Sequence, residues 1–114
     1  MNWILVIDDD LAIRHLAQIV LNTEGYEVRG ASNGVEALEL LGEDRPAVVI
    51  LDLQMPVMDG RTFFKIIDRP GRPPVVIVSA HGAERTCREL GAEAAIAKPY
   101  NPIDLVETVK GLCS

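Results

Sequence analysis

The chain has 114 residues, with 11 Lys and Arg against 17 Asp and Glu, a net charge of −6, and 48% apolar residues. That length fits one domain, residues 1–114, around one core; the composition excludes a disordered tail or fibrous repeat, and the acidic balance disfavours direct contact with nucleic acid. Cys87 and Cys113 have neither CxxC spacing nor the density of a disulfide framework, so reduced thiols in a cytoplasmic protein are expected. Asp8 stops the apolar run Trp3–Ile7 and Asp52 stops Ala47–Leu51, well short of a membrane span, and Met1-Asn2-Trp3 lacks the basic region of a signal peptide.

In chain order, Trp3–Ile7 reads as the first strand. Ile13, Leu16, Ala17, Val20 and Leu21 then recur at helical spacing, with Arg14, His15, Gln18 and Asn22 on the opposite, polar face. Asp10 is placed to cap the start of this helix and Gly25 its end. Tyr26–Gly30 is the second strand, and Val35, Leu38 and Leu41 mark a second helix ending near Gly42. Val48–Leu51 is the third strand, and Phe63, Phe64, Ile66 and Ile67 form the core stripe of a third helix. The turn-rich Arg69-Pro70-Gly71-Arg72-Pro73-Pro74 is too short to divide domains. A fourth strand, Val75–Val78, leads to a short helix over Ala83–Leu90 and a weak fifth strand, Ala94–Ala97. Asn101-Pro102 opens the last helix, Asn as N-cap and Pro at the first helical position. Ala47–Leu51 and Val75–Val78 are continuously apolar, as central strands buried on both faces should be. The alternation predicts an α/β fold, (βα)5, with a doubly wound five-stranded parallel sheet.

Ligands bind such sheets at the carboxyl ends of the strands. There this sequence places Asp8-Asp9-Asp10, Asp52, Ser79-Ala80 and Lys98-Pro99. Clustered carboxylates repel one another unless a cation sits among them, and hard oxygen ligands suit Mg²⁺. With that charge shielded, Asp52 can serve as a carboxylate nucleophile towards a phosphoryl group whose oxygens Ser79 and Lys98 would hold.

These motifs, in this order, resemble the receiver domain of two-component response regulators. The resemblance runs from Ile4-Leu5-Val6-Ile7-Asp8-Asp9-Asp10 to the last helix and is most specific over Val49-Ile50-Leu51-Asp52-Leu53-Gln54-Met55-Pro56-Val57-Met58-Asp59-Gly60, backed by Val78-Ser79-Ala80 and Lys98-Pro99-Tyr100. It implies a flavodoxin-like sheet of order 2-1-3-4-5. It implies that Asp52 accepts the phosphoryl group from a histidine kinase or phosphotransfer protein, and that Asp8, Asp9, Asp52 and the Gln54 carbonyl hold Mg²⁺. It also implies that Ser79 and Lys98 sense the phosphoryl group, that Met55-Pro56 and Asp59-Gly60 shape the loop after the acceptor, and that the bond before Pro99 is cis. A downstream protein or an attached output domain would receive the signal; the chain ends at Ser114, which fits a stand-alone regulator and a receiver from a longer protein alike. Two positions depart from the family. Ala95 stands where an aromatic residue is usual, three before the lysine, and only 12 positions separate Ser79 from Gly91, so the fourth helix is expected to be about a turn shorter. Without a ring at Ala95, the switch is expected to run through Ser79, the loop Ala80–Glu84 and that helix.

Two other functions fit part of the pattern. An aspartate-nucleophile phosphohydrolase would want a second acid two residues after the nucleophile, where this chain has Gln54. A protein-binding module that is never phosphorylated would not need Asp9, Asp52, Ser79 and Lys98 together. His15 reads as solvated surface and Asp59 as a turn former before Gly60; His81 is either an ordinary loop residue or an influence on phosphoryl hydrolysis. Arg61, Lys65 and Arg69 recur every four residues and read as a solvated helix face, with a landing strip for an acidic partner as the alternative.

Overall fold

The computed structural model describes residues 3–113. Ten elements alternate: β1 Trp3–Ile7, α1 Leu11–Thr23, β2 Glu27–Ala31, α2 Gly34–Glu43, β3 Val48–Asp52, α3 Gly60–Ile67, β4 Val75–Ser79, α4 Ala83–Leu90, β5 Ala94–Ala97 and α5 Pro102–Cys113. The strands form one parallel sheet in the order β2-β1-β3-β4-β5.

Side chains alternate across a strand, so each central strand feeds two cores at once. Leu5, Ile7, Val49, Leu51, Val75 and Ile77 pack on one face against α2, α3 and α4 through Ala37, Phe63, Phe64 and Ala83. Ile4, Val6, Val48, Ile50, Val76 and Val78 pack on the other against α1 and α5 through Ala17, Leu21, Leu105 and Val109. Every residue of β1, β3 and β4 is buried.

Several expectations need correction. The second strand runs one residue later than Tyr26–Gly30, because the Tyr26 N–H is taken by the Leu21 carbonyl at 3.2 Å and pairing begins with Glu27 opposite Trp3. β3 and β4 each extend by one residue, to Asp52 and Ser79, and α2 continues past Gly42 to Glu43. Leu16 is 43% exposed and Ile66 39% exposed, so neither lies in the core stripe assigned to it. Arg69 falls beyond the end of α3, which breaks the proposed basic row on that helix.

The capping chemistry is local and as expected. Asp10 accepts from the N–H groups of Ala12 and Ile13 at the start of α1, and Asn101 Oδ1 accepts from Ile103 at the start of α5. Gly25 adopts φ +94°, a conformation that a side chain disfavours, and its N–H closes on the Asn22 carbonyl after α1.

At the amino end of the sheet, Arg72 gathers three elements. Its guanidinium lies 4.7 Å above the Phe64 ring and pairs with Glu93 at 2.7 and 3.1 Å, with Asp68 at 3.0 Å and with the Gly91 carbonyl at 3.0 Å. Glu93 in turn accepts from the Val75 N–H that opens β4.

Candidate functional site

The sheet register brings the acidic and basic residues together. Ile7 is level with Leu51, which sets Asp8 beside Asp52; Asp52 is level with Val78 and Ser79 with Ala97, so Ser79 and then Lys98 step outward along the rim. Lys98 Nζ donates to Asp8 Oδ2 at 2.9 Å and lies 3.4 Å from Asp52 Oδ1. Carboxylate oxygens of Asp8, Asp9 and Asp52 lie within 4.8 Å of one another. Asp8 and Asp52 are each 4% exposed, whereas Asp9 is open to solvent.

Three carboxylates face one ammonium, which leaves two negative charges to be balanced. The cost falls on Asp52: burial, and then the Asp8 charge, push its carboxyl up to about 6 against the opposing pull of Lys98 and the Gln54 N–H. For Lys98, burial works against the charge, but the hydrogen bond and charge of Asp8, followed by the charge of Asp52, outweigh it and raise its pKa above the ordinary lysine value. A set of anionic oxygens short of two positive charges fits a hard divalent cation.

The loops around this cluster are closely tied. Asp8 Oδ1 accepts from the Asp10 N–H at 2.9 Å, and the Asp8 carbonyl accepts from Arg14 Nη1 at 2.7 Å. After Asp52, the Gln54 N–H donates to Asp52 Oδ1 at 3.3 Å, so Gln54 lies beside the acceptor although its side chain is exposed. Met58 N–H closes on the Pro56 carbonyl at 2.7 Å, forcing Val57 to φ +70° while leaving it 82% exposed. At Gly60 a Cβ would meet the Asp52 carbonyl at 2.5 Å and Leu53 Cα at 2.7 Å. Asp59, expected as a turn former, caps α3 by accepting from Thr62 N–H at 2.8 Å.

Ser79 is engaged in both directions with one residue: its hydroxyl donates to the His81 carbonyl at 2.9 Å and accepts from the His81 N–H at 3.2 Å. The bond between Lys98 and Pro99 is cis. Ala95 lies on β5 beside an open groove of 790 Å³ between β5 and α4, where Gly82, Cys87 and Arg88 form part of the facing wall. α4 has eight residues and no side-chain cap at its start.

Sequence patterning missed three contacts here. Arg61 donates to Thr86 Oγ1 at 2.9 Å and so links α3 to α4 instead of standing free. Arg14 turns inward to the Asp8 carbonyl instead of into solvent, with the isolated Gly30 on the neighbouring strand as its one sequence signal. Burial, and then the Asp8 charge, push the Tyr100 hydroxyl up to about 12, and its ring joins Ile13, Leu16 and Pro99 around an apolar pocket of 240 Å³ beside Lys98.

The model of the response regulator receiver domain matches residues 4–110. The chain belongs to that family. The transcriptional regulatory protein SrrA of Staphylococcus aureus is 39% identical over 115 residues, covering 97% of this chain and 47% of SrrA. The receiver thus spans about half the length of the curated relatives it matches. Among solved structures, the chemotaxis response regulator CheY4 of Vibrio cholerae superposes with a TM-score of 0.88 at 30% identity, covering 98% of each chain. The receiver domain of NtrX from Brucella abortus gives 0.87 at 31% identity, covering 96% of this chain and 97% of that one. Both likenesses bear out the flavodoxin-like (βα)5 architecture and the strand order that the motifs implied. Among the described residues no helix is long and apolar enough to cross a membrane.

Proposed function

We propose that this receiver, as one domain over residues 1–114, accepts a phosphoryl group on Asp52 from a phosphohistidine of a histidine kinase or phosphotransfer protein. The observation that supports it most is Asp52 itself, a buried carboxylate at a strand end with two acids and Lys98 around it. Asp8, Asp9, Asp52 and the Gln54 carbonyl would hold Mg²⁺, which when bound supplies the missing positive charge and shields the nucleophile from its neighbours. A carboxylate oxygen of Asp52 attacks phosphorus as the P–N bond breaks, and the histidine leaves with the electron pair, so no proton transfer by a carboxylic acid at Gln54 is required. Lys98 holds a phosphoryl oxygen by charge-assisted contact, and Ser79 turns to another. The chain therefore works as an acceptor in the cytoplasm and not as a turnover phosphohydrolase.

Ser79 cannot turn without giving up both bonds to His81, so the change begins at Ala80–Glu84 and reaches the uncapped start of α4. A downstream protein or an attached output domain would read that change, and the domain itself would not contact nucleic acid. Large apolar side chains exposed on α1 and α5, Leu11, Leu16, Ile19 and Ile103, support partner docking beside the acceptor.

The deciding experiment is labelling by acetyl phosphate or a phosphorylated kinase with Mg²⁺. Asp52→Asn keeps the shape and should abolish it, while undiminished labelling would remove the assignment. Lys98→Ala should still accept some label but lose most of the amide shift change at Ala80–Leu90; a full wild-type response in that variant contradicts the role given to Lys98.

A further inference from the structure

Asp9 differs from its two partners. Asp8 is fixed by the Asp10 N–H and by Lys98, and Asp52 by the Gln54 N–H and Lys98, whereas the Asp9 carboxylate is exposed and has no hydrogen bond or ion pair among the described residues. Where it points therefore depends on the backbone, and above all on the peptide plane between Asp8 and Asp9. The N–H of Asp8 still belongs to the sheet, bonded to the Ala31 carbonyl at 3.0 Å. Its carbonyl lies past the end of the ladder, and Arg14 supplies the donor at 2.7 Å.

Arg14 reaches that carbonyl across Gly30 of β2, where no side chain stands beside its stem. A Cβ at Gly30 would come 2.9 Å from Arg14 Cδ, 3.2 Å from Arg14 Cγ and 3.1 Å from Gln18 Nε2. Glycine inside a strand weakens it, with no side chain to pack and more backbone freedom to lose on folding. Arg14, for its part, makes no ion pair among the described residues, although three carboxylates lie within a few residues of the carbonyl it holds. The two oddities account for each other if the guanidinium and the gap in β2 form one device.

We infer that Arg14, seated across Gly30, is a positioning residue that fixes the Asp8–Asp9 peptide plane and so aims the exposed Asp9 carboxylate at the cation site. This rests on the metal assignment above only for its consequence; the backbone effect exists without metal. Holding an outer partner of a metal ligand is commonly worth 10–100-fold in affinity.

The test pairs a metal-free and a metal-dependent readout on Arg14→Met, which keeps the apolar stem, and Gly30→Ala, which keeps the guanidinium but displaces it. In EDTA, hydrogen exchange of the Asp10 amide should quicken about tenfold in both variants, with the core amides of Leu5 and Val49 unchanged. In Mg²⁺ titrations followed by amide shifts, both should bind about tenfold more weakly, and the double variant should be no worse than Arg14→Met alone. Wild-type exchange at Asp10 in Arg14→Met overturns the inference, and a full further loss on adding Gly30→Ala to Arg14→Met separates the glycine from the arginine and overturns the shared device. Asp9→Ala serves as the separate control: if it leaves Mg²⁺ affinity unchanged, the metal assignment fails while the exchange measurement still decides the role of Arg14.

Discussion

Replacing Asp52 by Asn should stabilise the metal-free domain even as it removes the acceptor. In the folded chain the Asp52 carboxyl is pushed from 3.8 to about 6 by burial and by Asp8, so its ionised form opposes folding at neutral pH. A displacement of that size corresponds to about 3 kcal/mol, which solvent at the open rim reduces to about 1–2 kcal/mol. Asparagine keeps the volume and leaves Lys98 paired with Asp8, so no new orphan group arises. For a chain of this length the gain corresponds to about 4–8 °C in Tm. The sign follows from linkage: well below pH 3.8 the carboxyl is protonated in both states and the variant has no advantage, which grows as pH rises from 3.8 and is complete above about 6. Thermal unfolding of both proteins in EDTA at pH 4 and pH 7.5 measures this directly. Saturating Mg²⁺ should shrink the difference, since the cation favours the charged wild-type carboxylate. Equal stability of the two proteins at pH 7.5 in EDTA would refute the view that Asp52 is strained by its neighbours.

Three other changes probe the loops and the base of the sheet. Val57→Gly should raise stability by about 0.5–1 kcal/mol, because a β-branched residue at φ +70° is strained and its exposed side chain loses no packing; an unchanged urea midpoint contradicts this. Gly60→Ala should lower stability by about 2–3 kcal/mol and slow labelling of Asp52, since the added methyl meets backbone of Asp52 and Leu53 that cannot give way; a midpoint within error of wild type would show that the loop can move. Arg72→Met should cost about 1 kcal/mol at pH 7 by removing the cation beside Glu93, whose solvated carboxylate keeps the Val75 N–H. Burial tends to raise the Glu93 carboxyl, but Arg72 and the Val75 N–H outweigh it and hold it below the usual value of 4.5. The wild-type advantage should thus be full above pH 4.5 and fade as pH falls through the lowered pKa, and a difference independent of pH would point away from the ion pair.

The central strands were legible because β3 and β4 are unbroken apolar runs that end in chemistry-bearing residues, whereas the strand order came only from the resemblance to receiver domains. Asp8, Asp52, Ser79 and Lys98 could be grouped from the sequence since parallel strands put all their carboxyl ends on one rim. What patterning could not show depended on side-chain reach. Arg14 sits on the polar side of α1 by period, yet an arginine stem spans the gap to a carbonyl that no periodicity marks. The start of β2 was misplaced by one residue because Tyr26 is β-prone but its N–H belongs to the end of α1. Leu16 has the period of the buried stripe without being buried, since Ala17 and Leu21 of α1, with Leu105 and Val109 of α5, cover that face of β1 and β3.

Arg72 has a consequence for how opening is distributed through the domain. The groups that resist folding, like-charged acids and a left-handed valine, lie at one end of the sheet, while the guanidinium that fastens α3, β4 and the entry to β5 lies at the other. Fluctuations of the acidic turn, or of the segment after Ser79, can therefore remain local excursions with their own small free energies, since the far end holds the strands in register while the rim rearranges. Charge can be added to or taken from the rim and its loops redrawn, while the sheet beneath remains a fixed platform.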